Sequence, residues 1–328
     1  MSKVINIRKA ERAGARIVVS LAGISGSGKT LTALLLAYGM TKGDGSKVGF
    51  LDTENRRGSL YACPDTYSKV KSALGMSKMP EPFLIADLEP PFSPKRYRDA
   101  ILAFQEAGVE VLVIDSVSHE WEGQGGCEEI AHAQNPRLPD WATAKREHKA
   151  FVNTLLQSNM HIIVCARARE KVKISREGNK TVVESIGIQP ITEKNFMFEM
   201  TASLLMWDEG KKQEVIKCPA ELRAILGREG GYISAADGLA LREWVDGGTK
   251  LDPEIEHARN TLRTVAAEGL DAYRKAFESA SPKVKRALVS DGTHDALKES
   301  AAAFDEQRKA ARPGGAALAD LNEEIEAG

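Results

Sequence analysis

Gly23-Ile24-Ser25-Gly26-Ser27-Gly28-Lys29-Thr30 decides how this chain is read. It fits G-x-x-x-x-G-K-[ST] at every fixed position. An apolar run, Ile17 to Ala22, precedes it and reads as a buried strand. Leu31-Thr32-Ala33-Leu34-Leu35-Leu36-Ala37-Tyr38 follows and reads as a helix that Gly39 closes. Strand, glycine loop and helix are the context a phosphate-binding loop requires. The glycines let the backbone turn its N–H groups inward around an anion, and the helix adds the positive end of its dipole. Gly23, Ser25, Gly26, Ser27, Gly28, Lys29, Thr30 and Leu31 are therefore the candidate phosphate-binding residues. Lys29 is placed to reach β- and γ-phosphates, and the Thr30 hydroxyl to ligate Mg²⁺.

Two further strands end in carboxylates. Val109 to Ile114 is apolar apart from Glu110 and terminates in Asp115, the form of a Walker B element. In a parallel sheet Asp115 falls at the carboxyl edge beside the loop, where it would hold Mg²⁺ with Thr30. The bland alternative is a strand-end aspartate that caps a turn. Lys47 to Asp52 reads as a second strand running into Thr53 and Glu54. A carboxylate there can orient an attacking water or take its proton; the alternative is an exposed loop glutamate.

The rest of the chain supplies the frame. Phe83 to Leu88 and His161 to Ala166 read as strands. Ser93-Pro94 opens a helix with Tyr97, Ile101, Leu102 and Phe104 on its apolar face, ended by Gly108. Glu120 to Gly126 reads as a polar, glycine-rich loop. Trp141 to Ser158 reads as a helix burying Ala144, His148, Phe151, Val152, Leu155 and Leu156 along with Trp141. Strands alternating with helices predict an α/β fold with a mostly parallel sheet covered on both faces. Lys171 to Glu184 reads as a hairpin, and Phe196 to Trp207 and Glu214 to Cys218 as two more strands around the turn Asp208-Glu209-Gly210. Val4 to Ile7 reads as a short edge strand. The expected domains are a core over residues 1–245, a linker over 246–252, a small all-helical C-terminal appendage over 253–311, and a mobile tail over 312–328.

Bulk properties narrow the class. The chain has 328 residues, 42% of them hydrophobic and only 6% aromatic, so aliphatic side chains must build the core. A net charge of −1 excludes diffuse attraction to nucleic acid, leaving only a local basic patch. The four cysteines form no C-x-x-C, which suits reduced thiols in a cytoplasmic protein. No apolar run approaches the roughly 20 residues of a membrane span. His119, His132 and His148 have no metal-ligand spacing, and Tyr38, Phe83 and Trp121 read as core or loop anchors.

Phe50-Leu51-Asp52-Thr53-Glu54 resembles the RecA-class segment whose glutamate activates water. Val111-Leu112-Val113-Ile114-Asp115-Ser116-Val117 resembles that class's strand ending in Asp-Ser-Val. Ser158 to Val164 resembles the strand leading to its phosphate-sensing residue. More narrowly, Gly26 to Thr30, Ile114 to Trp121 and Cys165-Ala166-Arg167-Ala168-Arg169 resemble the RecA-like ATPases that phages encode within recombination modules, the single-strand-annealing group. The resemblance spans roughly residues 12–220. It implies a RecA-like P-loop NTPase fold, ATP and Mg²⁺ as cofactors, and a cytoplasmic homo-oligomer. It also implies action on single-stranded DNA in phage recombination or replication, with a single-strand-binding or annealing protein as a further partner. Lys29, Glu54, Asp115 and Arg167 are the implied catalytic set. Where RecA-class sequences carry glutamine at the sensing position, this chain has Arg167, which would answer the γ-phosphate by charge as well as hydrogen bonding.

Arg169, Lys171, Lys173, Arg176 and Lys180 follow on the hairpin and are the candidate DNA contacts, with Glu170 and Glu177 among them. A solvated hairpin face is the alternative. Two other functions stay open: a P-loop phosphotransferase acting on a small molecule, which needs an acceptor pocket, and a nucleotide-gated module that binds a partner.

Overall fold

The computed structural model describes residues 16–135, 137–177, 180–228, 230–247, 253–290 and 292–310. The expected edge strand Val4 to Ile7, most of the linker and the tail over 312–328 lie outside them. The described residues divide into two compact units, one over 16–247 and one over 253–310.

The first unit alternates strand and helix. β1 (Val18–Gly23) passes through the glycine loop into α1 (Lys29–Met40), followed by β2 (Val48–Asp52), α2 (Pro64–Leu74), β3 (Leu84–Asp87) and α3 (Pro94–Glu106). Then come β4 (Val111–Asp115), the short α4 (Ser118–Glu122) and α5 (Cys127–His132), α6 (Trp141–Gln157), the long β5 (His161–Glu177) and β6 (Lys180–Pro190). A single turn α7 (Phe196–Glu199), β7 (Ala202–Trp207), β8 (Lys212–Lys217), α8 (Arg223–Leu226) and α9 (Ala235–Asp246) complete it. The sheet runs β3-β2-β4-β5-β1-β7-β8, with β6 paired to β5 off this path. Every pair from β3 to β7 is parallel; β7–β8 and β5–β6 are antiparallel. This is the expected α/β fold, a mostly parallel sheet flanked by helices.

Strand alternation divides the core into two layers. Val19, Leu21, Phe50, Val111, Val113, Ile163 and Cys165 face α1, α2 and α9. Val18, Ala22, Leu51, Leu112, Ile114, Ile162, Val164 and Ala166 face α3, α6 and α7. α3 starts as its sequence predicts: Ser93 Oγ accepts the Arg96 N–H, and Pro94 occupies the first turn. At the foot of β5 the Ile17 N–H donates to His161 Nδ1 at 3.2 Å, so this buried imidazole must be neutral there.

Several local expectations need correction. Gly39 does not close α1, which continues to Met40. It is glycine because α9 lies against it: a Cβ there would stand 2.0 Å from the Ala235 carbonyl oxygen. Gly238 returns the contact, its absent Cβ 2.2 Å from the Leu36 oxygen. Residues 118–122 form α4 rather than loop, because Glu120 turns inward into a buried hydrogen-bonded cluster. Phe196 to Glu199 is helical, and only residues 202–207 of the expected strand are extended. An apolar run does not tell a buried turn from a buried strand. Leu102, Trp141 and Leu156, expected inside, are exposed. α9 carries no strong apolar period and was not expected from sequence.

In the second unit α10 (Pro253–Ala266), α11 (Leu270–Ser279), α12 (Pro282–Ser290) and α13 (Thr293–Ala310) enclose Leu262, Tyr273, Val284, Leu288, Leu297 and Ala301. Phe304, also on α13, is exposed.

Gly39→Ala should test the α1–α9 contact. Alanine favours an isolated helix by about 1 kcal/mol over glycine, yet overpacking against backbone costs about 1–3 kcal/mol. With two helix backbones this close, the balance is a net loss, read as a lowered midpoint in denaturant titration.

Candidate active site

Parallel register brings the chemistry to one sheet edge. Asp52 is level with Asp115, Asp115 with Cys165, and Cys165 with Leu21. Two residues further on, Arg167 pairs with Gly23 at the entrance to the glycine loop. Glu54, two residues past Asp52, emerges at the same level. The carboxyl ends of parallel strands are where α/β sheets bind ligands.

The loop's own glycines meet two constraints. Gly28 caps α1 with φ of 86°, a region that favours glycine. A Cβ on it would lie 2.7 Å from the Glu209 carbonyl, and one on Gly23 would lie 2.5 Å from the Met206 oxygen. The backbone from Met206 to Gly210 therefore presses on the loop, a neighbour the sequence did not disclose. Ser25 and Gly26 are exposed at the crest, Ser27 is buried, and Leu31 packs against the α1-side core. Lys29 Nζ donates to the Gly23 and Ile24 carbonyl oxygens at 3.0 and 2.9 Å and to Ser27 Oγ at 3.3 Å.

Thr30 Oγ1 donates to Asp115 Oδ2 at 2.5 Å. Burial pushes the Asp115 carboxyl up to about 6, against the pull of the Thr30 hydroxyl and the Lys29 charge. A hydroxyl and a carboxylate are hard oxygen donors of the kind Mg²⁺ takes, and the glycine cradle leaves no side chain between the loop amides and an anion. The residues present therefore fit a nucleotide with its metal ion.

Asp52 and Glu54 divide the second strand's carboxylates. Asp52 accepts the Glu54 and Gly58 N–H groups, both at 2.6 Å, and so shapes the turn. Glu54 keeps one oxygen near Ser116 Oγ (3.3 Å), His119 Nε2 (3.9 Å) and Arg167 Nε (4.0 Å). Arg167 is held at its backbone, where its N–H donates to Ser118 Oγ at 2.8 Å. Beside this group lies a cavity of about 490 Å³ whose lining includes Glu54, Arg56, Arg57, Phe92, His119 and Arg167.

His119 was passed over in the sequence for want of metal spacing, as was His148. The structure stacks His119 on Phe92, rings 4.7 Å apart, and sets it between Thr53, Glu54 and Arg167. Its position four residues after Asp115, second in α4, is the signal that was available. His148 meets Glu120 and Cys127 instead. All three are buried, and the imidazole and thiol point at the same carboxylate over 3.0–3.2 Å.

The expected DNA contacts sit on the β5–β6 hairpin. Arg169 pairs with Glu122 at 3.2 Å, and Lys171 is exposed. Positions 173 and 176 fall on β5, and 180 pairs with 177 across the turn. Alternation puts positions 167, 169 and 171 on one face of β5. The side chains of Lys173, Arg176 and Lys180 lie outside the described residues.

A family model described as an AAA domain matches residues 15–201, from the strand before the loop to the start of β7. No curated protein matches the chain. The matched span contains the glycine loop, Glu54, Asp115 and Arg167.

Lys29→Ala should leave the circular dichroism spectrum unchanged and lower ATP turnover by about 100-fold or more, the scale of losing one preorganised donor to a developing anion. Wild-type turnover in the folded variant would remove Lys29 from the site.

Proposed function

The chain belongs to the AAA domain family of P-loop nucleotide-binding ATPases, and we propose that it is a Mg²⁺-dependent ATPase acting on single-stranded DNA in phage recombination or replication. The observation that carries the ATPase part is the contact of Thr30 with Asp115 at the foot of the glycine loop, with Glu54 at the same sheet edge. In this reading the loop amides and Lys29 bind the phosphates, and Thr30 and Asp115 hold the metal ion. When bound, the ion would supply charge neutralisation on the phosphate oxygens. Glu54, with one oxygen near Ser116, orients the water. Arg167 answers to the γ-phosphate; its side chain is half exposed and its 4.0 Å pairing with Glu54 is loose enough to exchange.

What supports the DNA part is the resemblance stated from sequence, together with the placement of the basic positions on the hairpin that continues the strand of Arg167. A net charge of −1 requires any such contact to be local. Assembly of like copies and an annealing or single-strand-binding partner belong to the same proposal. The second unit of four helices would suit docking of the latter.

The cavity beside Glu54 favours one competing reading, a phosphotransferase whose acceptor sits there. ATP turnover measured with and without single-stranded DNA, and with candidate metabolites, separates the two. Mass measurement with a non-hydrolysable ATP analogue tests assembly.

Glu54→Gln should retain nucleotide affinity and lower hydrolysis by about 10²-fold or more, a general-base scale of loss, whereas Asp115→Asn should also raise the Mg²⁺ concentration needed. Hydrolysis at the wild-type rate by Glu54→Gln would assign the water to another residue.

Replacing Lys171, Lys173 and Lys180 with Gln together should weaken single-strand binding and reduce its log–log salt slope by about 2, the release expected for three phosphate contacts. An unchanged slope would move the DNA site off the hairpin.

A further inference from the structure

We propose that His119 is a positioning residue: as the neutral Nδ1–H tautomer it connects Arg167 to the turn after Asp115 and so holds Arg167. The inference rests on the ATPase reading above and deepens it.

The tautomer follows from what each neighbour can do. Arg167 Nη1 lies 3.4 Å from His119 Nε2, and a guanidinium only donates. Nε2 must therefore present its lone pair, which leaves the proton on Nδ1. Thr53 Oγ1 lies 2.8 Å from Nδ1 and accepts that proton's hydrogen bond. Thr53 then donates its own hydrogen to the Ser116 carbonyl oxygen at 3.1 Å, and accepts the Ser116 N–H at 2.8 Å. Tyr97 Oη donates to the same Ser116 oxygen at 2.8 Å. The opposite tautomer would set an imidazole N–H against a guanidinium N–H. One directional chain thus runs from Arg167 through His119 and Thr53 to the residue that follows Asp115.

The imidazole is held from behind. Glu120, the next residue of α4, is 1% exposed and accepts from Cys127 Sγ at 3.2 Å and His148 Nδ1 at 3.0 Å. Phe92 stacks on the imidazole's face. A short helix pinned at Glu120 can turn His119 only toward Thr53 and Arg167. Ser118, on its other side, accepts the Arg167 N–H. Three consecutive residues therefore fix α4, the imidazole and the arginine's backbone.

The groups facing His119 are Glu54 from the loop after β2, Arg167 from β5, and Glu122 from its own helix. Burial holds the imidazole below its ordinary 6.5, the Glu54 and Glu122 charges oppose this, and Arg167 adds to it. Protonating Nε2 removes the acceptor that Arg167 uses and sets two cations together. Turnover should then fall as pH drops through a value under 6.5 and hold on the alkaline side.

The test uses the full chain with ¹⁵N-labelled histidine, the His119 signals being those lost in His119→Asn. Asparagine reproduces the Nδ1 side, keeping a donor for Thr53, and lacks the Nε2 acceptor. Wild type should show Nδ1–H, with Nε2 shifting when a non-hydrolysable ATP analogue and Mg²⁺ are added. His119→Asn should lower kcat by about 10- to 100-fold with KM for ATP within about twofold. In an Arg167→Ala background the same substitution should have no further effect. An Nε2–H tautomer, an unshifted signal, or additive losses in the double variant would overturn the proposal. Absence of ATP turnover in wild type would instead strike the ATPase reading, while the tautomer would still decide the Arg167–His119–Thr53 connection.

Discussion

In-register parallel pairing of β2, β4, β5 and β1 is the constraint on which the site depends. It puts Asp52, Asp115, Cys165 and Leu21 at one level, and Gly23 and Arg167 two residues above it. A slip of one residue in any strand would turn its side chains to the other face and exchange the two core layers. The apolar alternation that fills those layers is therefore also what aims Asp115 at Thr30. Two aspartates at the same level end up with different duties because β2 stands one strand further from the loop than β4. Asp115 meets Thr30, and Asp52 is consumed by the amides of Glu54 and Gly58.

Close backbone packing is the second constraint. The glycine loop is bounded by residues 206–210, and α1 is bounded by α9 at Gly39. Gly23 and Gly28 thus serve the fold as well as any anion: side chains there would drive the β7–β8 turn away before they obstructed a phosphate. The family match ends at residue 201, so the turn that presses on the loop and the helix that presses on α1 both lie past it.

This explains what the sequence disclosed. The glycine loop, Asp115 and Glu54 are local signals, each readable from a strand and the residue at its end, and the structure brings all three to one edge. Gly39 was legible as glycine but its cause was not, because the Ala235 carbonyl it accommodates is almost two hundred residues away in the chain. His119, Glu120 and His148 were illegible for the same reason. Their partners come from β2, β5, α5 and α6, and no spacing along the chain encodes those meetings. The C-terminal appendage was legible as helical because each of its helices buries a stripe with its own period.

The two sides of α4 sit in opposite energetic regimes. Glu120 is sealed from water with both of its hydrogen-bond donors beside it, and leaving a buried acceptor without its donor costs about 1–3 kcal/mol. Arg167, by contrast, is half exposed and meets His119 and Glu54 at 3.4 and 4.0 Å, contacts worth about 1 kcal/mol or less in that setting. The inner side of α4 is therefore fixed while its outer contacts are cheap to exchange. In the proposed reading Arg167 turns from a protein partner to a phosphate, and such a turn needs this arrangement: a loose side chain whose backbone, here tied to Ser118, does not move with it.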